Sequence, residues 1–294
     1  MSGTASNSAT PPQFTDKFVA FVDILGFKKL VRDAEAGSGF SLAELFDLLS
    51  ELGNDKHREA VARHGPTLCP RAPKVRADID FQLTQISDCV IVSAEISPAG
   101  AINLINHCWS ACLGLLTKGV LCRGYIDRGN VYHTECQVIG TGYINAYLNE
   151  GKVAAFKKDD SDTRTPYIEV GPGVVDYIAA QPDKCVRDMF GRMTATDGKL
   201  TVLFPFKRLS HSFVIGYKGS PFGEFDPEKE RQSNARMRAN IEQLKRRIIG
   251  LVDHSDSGAL RKAAHYIDLL NKQIEVADQT DRFIDDLSRP IGGK

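Results

Sequence analysis

Residues 18–24, FVAFVDI, constrain this chain more than any other stretch. The run is β-branched and aromatic with no polar alternation, the pattern of a strand covered on both faces and hence of a central strand. Its one acid, Asp23, stands at the end of the run, three residues before Gly26. A carboxylate in such surroundings is costly unless something cationic neutralises it. The stretch therefore asks which cation meets Asp23.

Composition narrows the answer. The 294 residues are 42% hydrophobic and 25% charged, enough for one large core or two modest ones. Lys plus Arg and Asp plus Glu are equal at 37, so the formal charge is zero and no overall field recruits nucleic acid or an anionic membrane. Phosphate recognition must be local. The seven cysteines form no CxxC pair and are expected as reduced thiols in a cytoplasm, not as metal thiolates. Residues 1–16 have neither a basic n-region nor an apolar h-segment and are expected to be a disordered lead-in; no apolar run is read as a bilayer span.

Along the chain, Gly26 and Phe27 open a helix through about residue 34. Ser41 and Glu44, at capping-box spacing, announce a second helix with leucines through Leu52. Residues 53–77 are basic and contain prolines, as in a surface insertion. DFQLTQI and CVIVSAEI, separated by Ser87 and Asp88, read as a tight hairpin with Asp88 at its turn. Residues 99–118 are apolar almost all round and end in Lys118-Gly119, a buried helix with a glycine stop. VLCRGYID is read as turning at Arg128-Gly129-Asn130 into VYH. A short strand near residues 137–139, a helix from 143 to about 152 and a strand in TPYIEV follow. TVLFPF and HSFVIGY read as further strands, and two long helices joined by DHSDSG predict an αα-hairpin with a basic outer face. This order predicts an α+β fold: a ferredoxin-like core with an antiparallel-centred sheet and helices on one side, plus a C-terminal helical hairpin. Residues 17–225 are expected as one domain and 226–294 as a helical extension.

On such a layer Asp23 ends the first strand and Asp88 tips the neighbouring hairpin, so two distant carboxylates meet at one sheet edge. Hard divalent cations take such oxygen ligands, completed by waters and substrate phosphates. The backbone N–H groups of DILGF, at the mouth of a helix, suit phosphates. Taken singly, Asp23 is equally well read as a turn or cap residue, and Asp88 is better read as ordinary hairpin chemistry; the pair, in this order, points to metal chemistry.

FVDILGF resembles the F-x-D-I-x-G-F metal motif of class III nucleotide cyclases, and ISDCVIVS resembles their G-D-C hairpin, which carries the second metal acid. CRGYIDRGNVYH and then VIGTGYINAYLNEGK follow that family's order of a strand hairpin and a glycine-led helix. More narrowly, the SD-x-V-[IV] hairpin, the RG-x-I-x-x-G strand and the AY-x-x-E helix look like the bacterial pyrimidine cyclases of Pycsar anti-phage defence. The resemblance covers roughly residues 18–170.

It implies that a ribose 3′-hydroxyl attacks the α-phosphorus, diphosphate leaves and a 3′,5′-cyclic nucleotide forms. Asp23 and Asp88 would bind two Mn²⁺ or Mg²⁺ ions, with the Ile24 carbonyl as a further ligand, and the backbone of Leu25, Gly26 and Phe27 would meet the triphosphate. Sites of this family form between two such domains, so a homodimer is implied. The lysine and aspartate that read adenine in the family correspond to Thr84 and Gln137 here, which disfavours ATP. Thr and Gln both donate and accept, as a uracil or cytosine edge requires; UTP is favoured and CTP is the alternative. The family's transition-state asparagine and arginine align with Ile144 and Leu148; Asn145 lies one residue off register, and Arg123 or Arg128 is the other candidate cation. A cyclase-like nucleotide sensor without turnover is the second reading. His107 and His133 are read as core and turn histidines, Tyr143 and Tyr147 as packing residues, and the absence of GxxxxGK[ST] argues against a P-loop enzyme.

Overall fold

The computed structural model describes residues 11–53, 79–208 and 225–288. The expected strand HSFVIGY and nearly all of the 53–77 segment lie outside them. The central strand is β1 (Thr15–Ile24). It is followed by α1 (Phe27–Glu35), α2 (Leu42–Gly53), the hairpin β2 (Phe81–Ile86) and β3 (Cys89–Glu95), and α3 (Pro98–Thr117). Then come β4 (Cys122–His133), β5 (Val138–Ile139), α4 (Thr141–Glu150), β6 (Ile168–Val170), α5 (Pro172–Ala179) and α6 (Lys184–Met193). The short strands β7 (Thr194–Asp197) and β8 (Leu200–Leu203), a 3₁₀ turn, α7 (Pro227–Leu251) and α8 (Ser257–Ser288) complete the described chain.

The sheet runs β2-β3-β1-β4-β6-β8-β7, with β5 on the far end of β4. Its first four strands pair antiparallel throughout, in the ferredoxin-like order; β6 joins β4 in parallel. The α+β expectation with an antiparallel-centred sheet is what the chain adopts. β1 is central because nothing else satisfies five consecutive apolar residues, Phe18 to Val22, with Ile24 beyond them. Phe18, Ala20, Val22 and Ile24 face α1, α2 and α3, while Val19 and Phe21 face the other way with Ile91, Val131 and Ala146. Each fully buried side chain of this size is worth about 1.5–3 kcal/mol.

The helices are not confined to one side. α4 lies on the opposite face of the sheet from α1–α3, its Ala146 in the smaller cluster with Phe21, and Tyr147 meets Phe21 edge to face at 5.2 Å. The reason also corrects the expected turn at Arg128-Gly129-Asn130, since β4 runs unbroken through these residues. Gly129 is there for close approach: a Cβ added to it would stand 2.9 Å from Gly142 Cα, and one added to Gly142 would stand 3.0 Å from the Gly129 carbonyl carbon. Two glycines thus let the start of α4 lie directly on the strand.

α3 has the length and apolar composition of a bilayer span, against the expectation that no run reaches this; it is mostly buried inside the protein. Ser97 caps it by accepting from the Gly100 amide at 2.9 Å. Cys185 is disulfide-bonded, which departs from the expected set of reduced thiols; Cys89, Cys108, Cys112, Cys122 and Cys136 are free.

α7 and α8 form the expected hairpin and share a core with the sheet, where Ile241, Ile248, Tyr266 and Leu270 pack with Leu116, Leu121, Tyr167 and Phe206. The basic residues of α7 do not all face outward: Arg238 pairs with Asp278 at 2.9 Å and with Asp281, and Arg231 pairs with Asp285 at 2.7 Å, joining the two helices. Gly142→Ala is expected to lower stability by about 1–3 kcal/mol in urea unfolding, through overpacking against β4. Gly151→Ala, whose added Cβ meets only Leu148 O at 3.7 Å, should stay within about 0.5 kcal/mol of the parent.

Candidate active site

Strand register brings the predicted acids together. Asp23 is paired with Cys89 on β3 and with Arg123 on β4, so all three side chains leave the same face of one row of the sheet. Asp88 precedes Cys89 at the hairpin tip, where Ser87 takes a left-handed φ of 54° to close the two-residue turn. The Ile24 amide donates to Asp88 O at 3.0 Å, tying the two acid-bearing segments together through backbone.

The electrostatics report the same convergence. The Asp23 carboxyl is pushed from its ordinary value of 3.8 to about 7, first by burial and then by the neighbouring charges of Asp88 and Glu150; Arg123 and the Ile24 amide oppose the shift. Cys89, between the acids, is pushed up to about 11 by burial and by both aspartates, which makes it an inert thiol.

Glu150 has no assigned role in the sequence reading, although it is the last residue of the quoted AY-x-x-E pattern. It ends α4 and pairs with Arg123; both side chains are about nine-tenths buried. Arg123 Nη1 also reaches Arg164 O at 3.4 Å. The legible signal was joint: an arginine at the start of one motif segment and a glutamate at the end of another, with two glycines between them that press the segments together.

The other predicted positions are placed differently from one another. Gly26, at φ 76°, precedes α1 with no side-chain cap and no acid in the first turn, so the first amides of the helix, Phe27 among them, have no intrahelical partner. Leu25 differs, because its amide donates to Leu121 O at 2.9 Å and is unavailable as a phosphate donor. Thr84 and Gln137 are brought close: Thr84 Oγ1 lies 3.2 Å from Thr134 O and 3.0 Å from His133 Nε2, and the Thr134 amide donates to Gln137 O at 2.9 Å. His133 is not a turn histidine; it is buried, with Nδ1 2.8 Å from Ser93 Oγ. Asn145 is exposed on α4 beside Ile144 and Leu148. Arg128 lies at the sheet's other end, held by Asp16 at 2.7 Å.

Among the described residues no three Asp, Glu, His or Cys side chains form a ready metal cage. Two aspartates with uncompensated charge nevertheless fit an Mg²⁺ or Mn²⁺ site of the kind that keeps several waters and completes itself with phosphate oxygens. The raised Asp23 is the observation that fits, since an added cation would offset the burial and the neighbouring negative charges that raise it.

No family model matches the sequence, and no curated protein matches it. Solved structures similar to it include two of a bacterial light-regulated adenylyl cyclase. One is 15% identical with a TM-score of 0.37, covering 58% of this chain and 48% of that one. The other is 15% identical with a TM-score of 0.35, covering 57% and 82%. A third is the catalytic core of a rhodopsin-guanylyl cyclase with converted specificity in complex with ATPαS, 14% identical, TM-score 0.39, covering 66% and 98%. The chain thus spans about half the length of the first. All three TM-scores lie below 0.5, so the likeness is loose, and any chemistry rests on the side chains described above.

Asp23 keeps its proton to about pH 7 when folded and loses it near 3.8 when unfolded. The unfolded chain therefore binds fewer protons between these values, and stability falls as pH rises through them, with the full cost present above about 7. In chelator, Asp23→Asn should gain on the parent in thermal unfolding as pH rises from about 5 to about 8. Added Mn²⁺ should close the gap by stabilising the parent alone; a gap independent of pH would contradict the assignment.

Proposed function

We propose that this chain is a nucleotide cyclase that converts a pyrimidine nucleoside triphosphate, UTP in the favoured case, to its 3′,5′-cyclic monophosphate and diphosphate. In the Pycsar-like reading the product is a second messenger of anti-phage defence. The observation that carries this is the meeting of Asp23 and Asp88, from motifs 65 residues apart, beside an uncapped helix start. Bound Mg²⁺ or Mn²⁺, two ions in this reading, would acidify the attacking 3′-hydroxyl and offset the polyphosphate charge.

The chain's own groups divide the remaining work. The Gly26 and Phe27 amides bind phosphate oxygens, as helix starts do. Asp23 and Asp88 hold the negative charge that draws the ions in. Arg123, fixed by Glu150, limits the repulsion among three acids. The Thr84 hydroxyl is engaged by His133 and by the 134–135 carbonyls. It therefore steadies the turn, and exposed Gln137 is the side chain left to read the base edge. Ile86, Ile139, Ile144, Tyr147 and Leu148 are each about half exposed or more around this face. Such an apolar surface suits the implied homodimer, in which each site takes ions from one subunit and base contacts from the other.

The sensor reading is favoured by one observation. The positions matching the family's transition-state asparagine and arginine are apolar and exposed, and Arg123 is already paired. Incubation with each of the four nucleoside triphosphates and Mn²⁺, with products resolved by mass, separates the two. A cyclic pyrimidine nucleotide is expected, with turnover lost by at least about a thousandfold in Asp88→Ala; binding without any cyclic product would leave the sensor. Gln137→Ala should reduce discrimination among bases by about tenfold, measured as the ratio of kcat/KM values. Leu148→Asp should give a monomer in light scattering and abolish turnover.

A further inference from the structure

The C-terminal hairpin does not stand apart from the candidate site. A cavity of about 460 Å³ lies between the start of α1 and the α7–α8 turn, bounded by Leu25 and Gly26 on one side and by Val252, Asp256 and Lys262 on the other. Gly26 is the glycine whose amide faces phosphate in the proposed reaction, so one wall of this cavity belongs to that site. The opposite wall comes from helices that the resemblance does not cover.

The charges around the cavity are unequally committed. Asp33 is held by Lys29 at 2.5 Å. Asp253 accepts from the Ser255 amide and hydroxyl at 2.9 and 2.6 Å, and Asp256 accepts from the Gly258 and Ala259 amides at 2.8 and 3.2 Å. The acids are thus engaged in turn and cap bonds. Lys262, half-buried on the first turns of α8, makes no hydrogen bond or ion pair among the described residues. Burial, Arg123 and Arg164 all act against its charge, and Asp256 and Glu150 only partly compensate, so its ammonium is held below its ordinary range. A cation that shares a cavity with the phosphate-facing loop, feels the charge of Arg123 and is short of a partner is what an anion would relieve.

The geometry points to Lys262 as a polyphosphate-binding residue: the C-terminal helix closes the α1 cavity over the terminal phosphates of a nucleoside triphosphate and holds the diphosphate product before release. This rests on the nucleotide reading of the site for its occupant, and on the cavity and the half-buried, unpaired Lys262, where the cavity's Lys28 is exposed, for its place. The helical extension then has a function within the site, and removing it would remove a ligand as well as a support.

The test uses the full chain and two readouts. Binding of inorganic diphosphate in chelator, by calorimetry, should weaken roughly tenfold or more in Lys262→Ala, recover in large part in Lys262→Arg, and stay unchanged in Lys184→Ala, an exposed lysine on α6. In the four-nucleotide assay, Lys262→Ala should raise KM and the inhibition constant for diphosphate by a similar factor. If no cyclic nucleotide forms but diphosphate binding still depends on Lys262, the subsite stands and the cyclase reading fails. If cyclic product forms while Lys262→Ala, folded by circular dichroism, changes neither diphosphate binding nor KM, the role assigned to Lys262 is overturned and the cyclase reading survives. Equal loss in Lys262→Ala and Lys184→Ala would also overturn it, as a general effect of net charge.

Discussion

Charge balance around Asp23 is the constraint on which the rest of this structure turns. A carboxylate at the end of a strand buried on both faces is tolerable only with compensation, and what surrounds it is two more acids and one arginine. Arg123 is shared between Asp23 and Glu150, and its pairing is closest to Glu150. The cluster therefore carries net negative charge in a half-buried place. Stability alone would remove such a cluster, because apolar residues of similar size cost less than buried ions. Under the proposed function a bound cation supplies the missing compensation, and the register of the sheet is what keeps these acids side by side.

That organisation depends on register more than on any single contact. Asp23, Cys89 and Arg123 share a row because β1 is antiparallel to both β3 and β4, and a slip by one residue would send Asp23 to the face covered by α1–α3, which Val22 and Ile24 occupy in the observed register. The alternation of two apolar clusters on either side of β1 forbids the slip, since it would exchange Phe18 and Phe21 between environments of different size. The hydrophobic core thus specifies where the carboxylate points, although no apolar side chain has a role in the proposed chemistry.

Much of this was legible in the chain. The unbroken apolar run marked β1, Ser-Asp marked the hairpin, and Ser41 with Glu44 marked a helix start that the structure realises as a reciprocal cap, Ser41 N to Glu44 Oε2 at 2.7 Å and Glu44 N to Ser41 Oγ at 3.3 Å. These are local signals with local causes. What was not legible is nonlocal. Gly129 reads as a turn because glycine usually serves that purpose; its real duty, admitting Gly142, depends on a residue in another element. Leu25 looks like a phosphate donor until its amide is seen to belong to Leu121. Glu150 and Lys262 acquire meaning only when α4 crosses the sheet and α8 returns to it.

The last of these bears on how the fold is divided. A boundary near residue 225 separates the helical hairpin from the sheet by sequence, yet Tyr266 donates to Pro166 O at 2.9 Å and His265 lies 2.7 Å from Asp162 Oδ2, both contacts buried. These bonds fasten α8 to the segment that connects α4 to β6, and α4 carries Glu150. The same helix therefore packs on the connection that leaves α4 at one place and lines the α1 cavity at another. An element that only stabilised the sheet would need the first contact and not the second. Because α8 makes both, a boundary near residue 225 separates the hairpin neither from the α1 cavity nor from the connection that leaves α4.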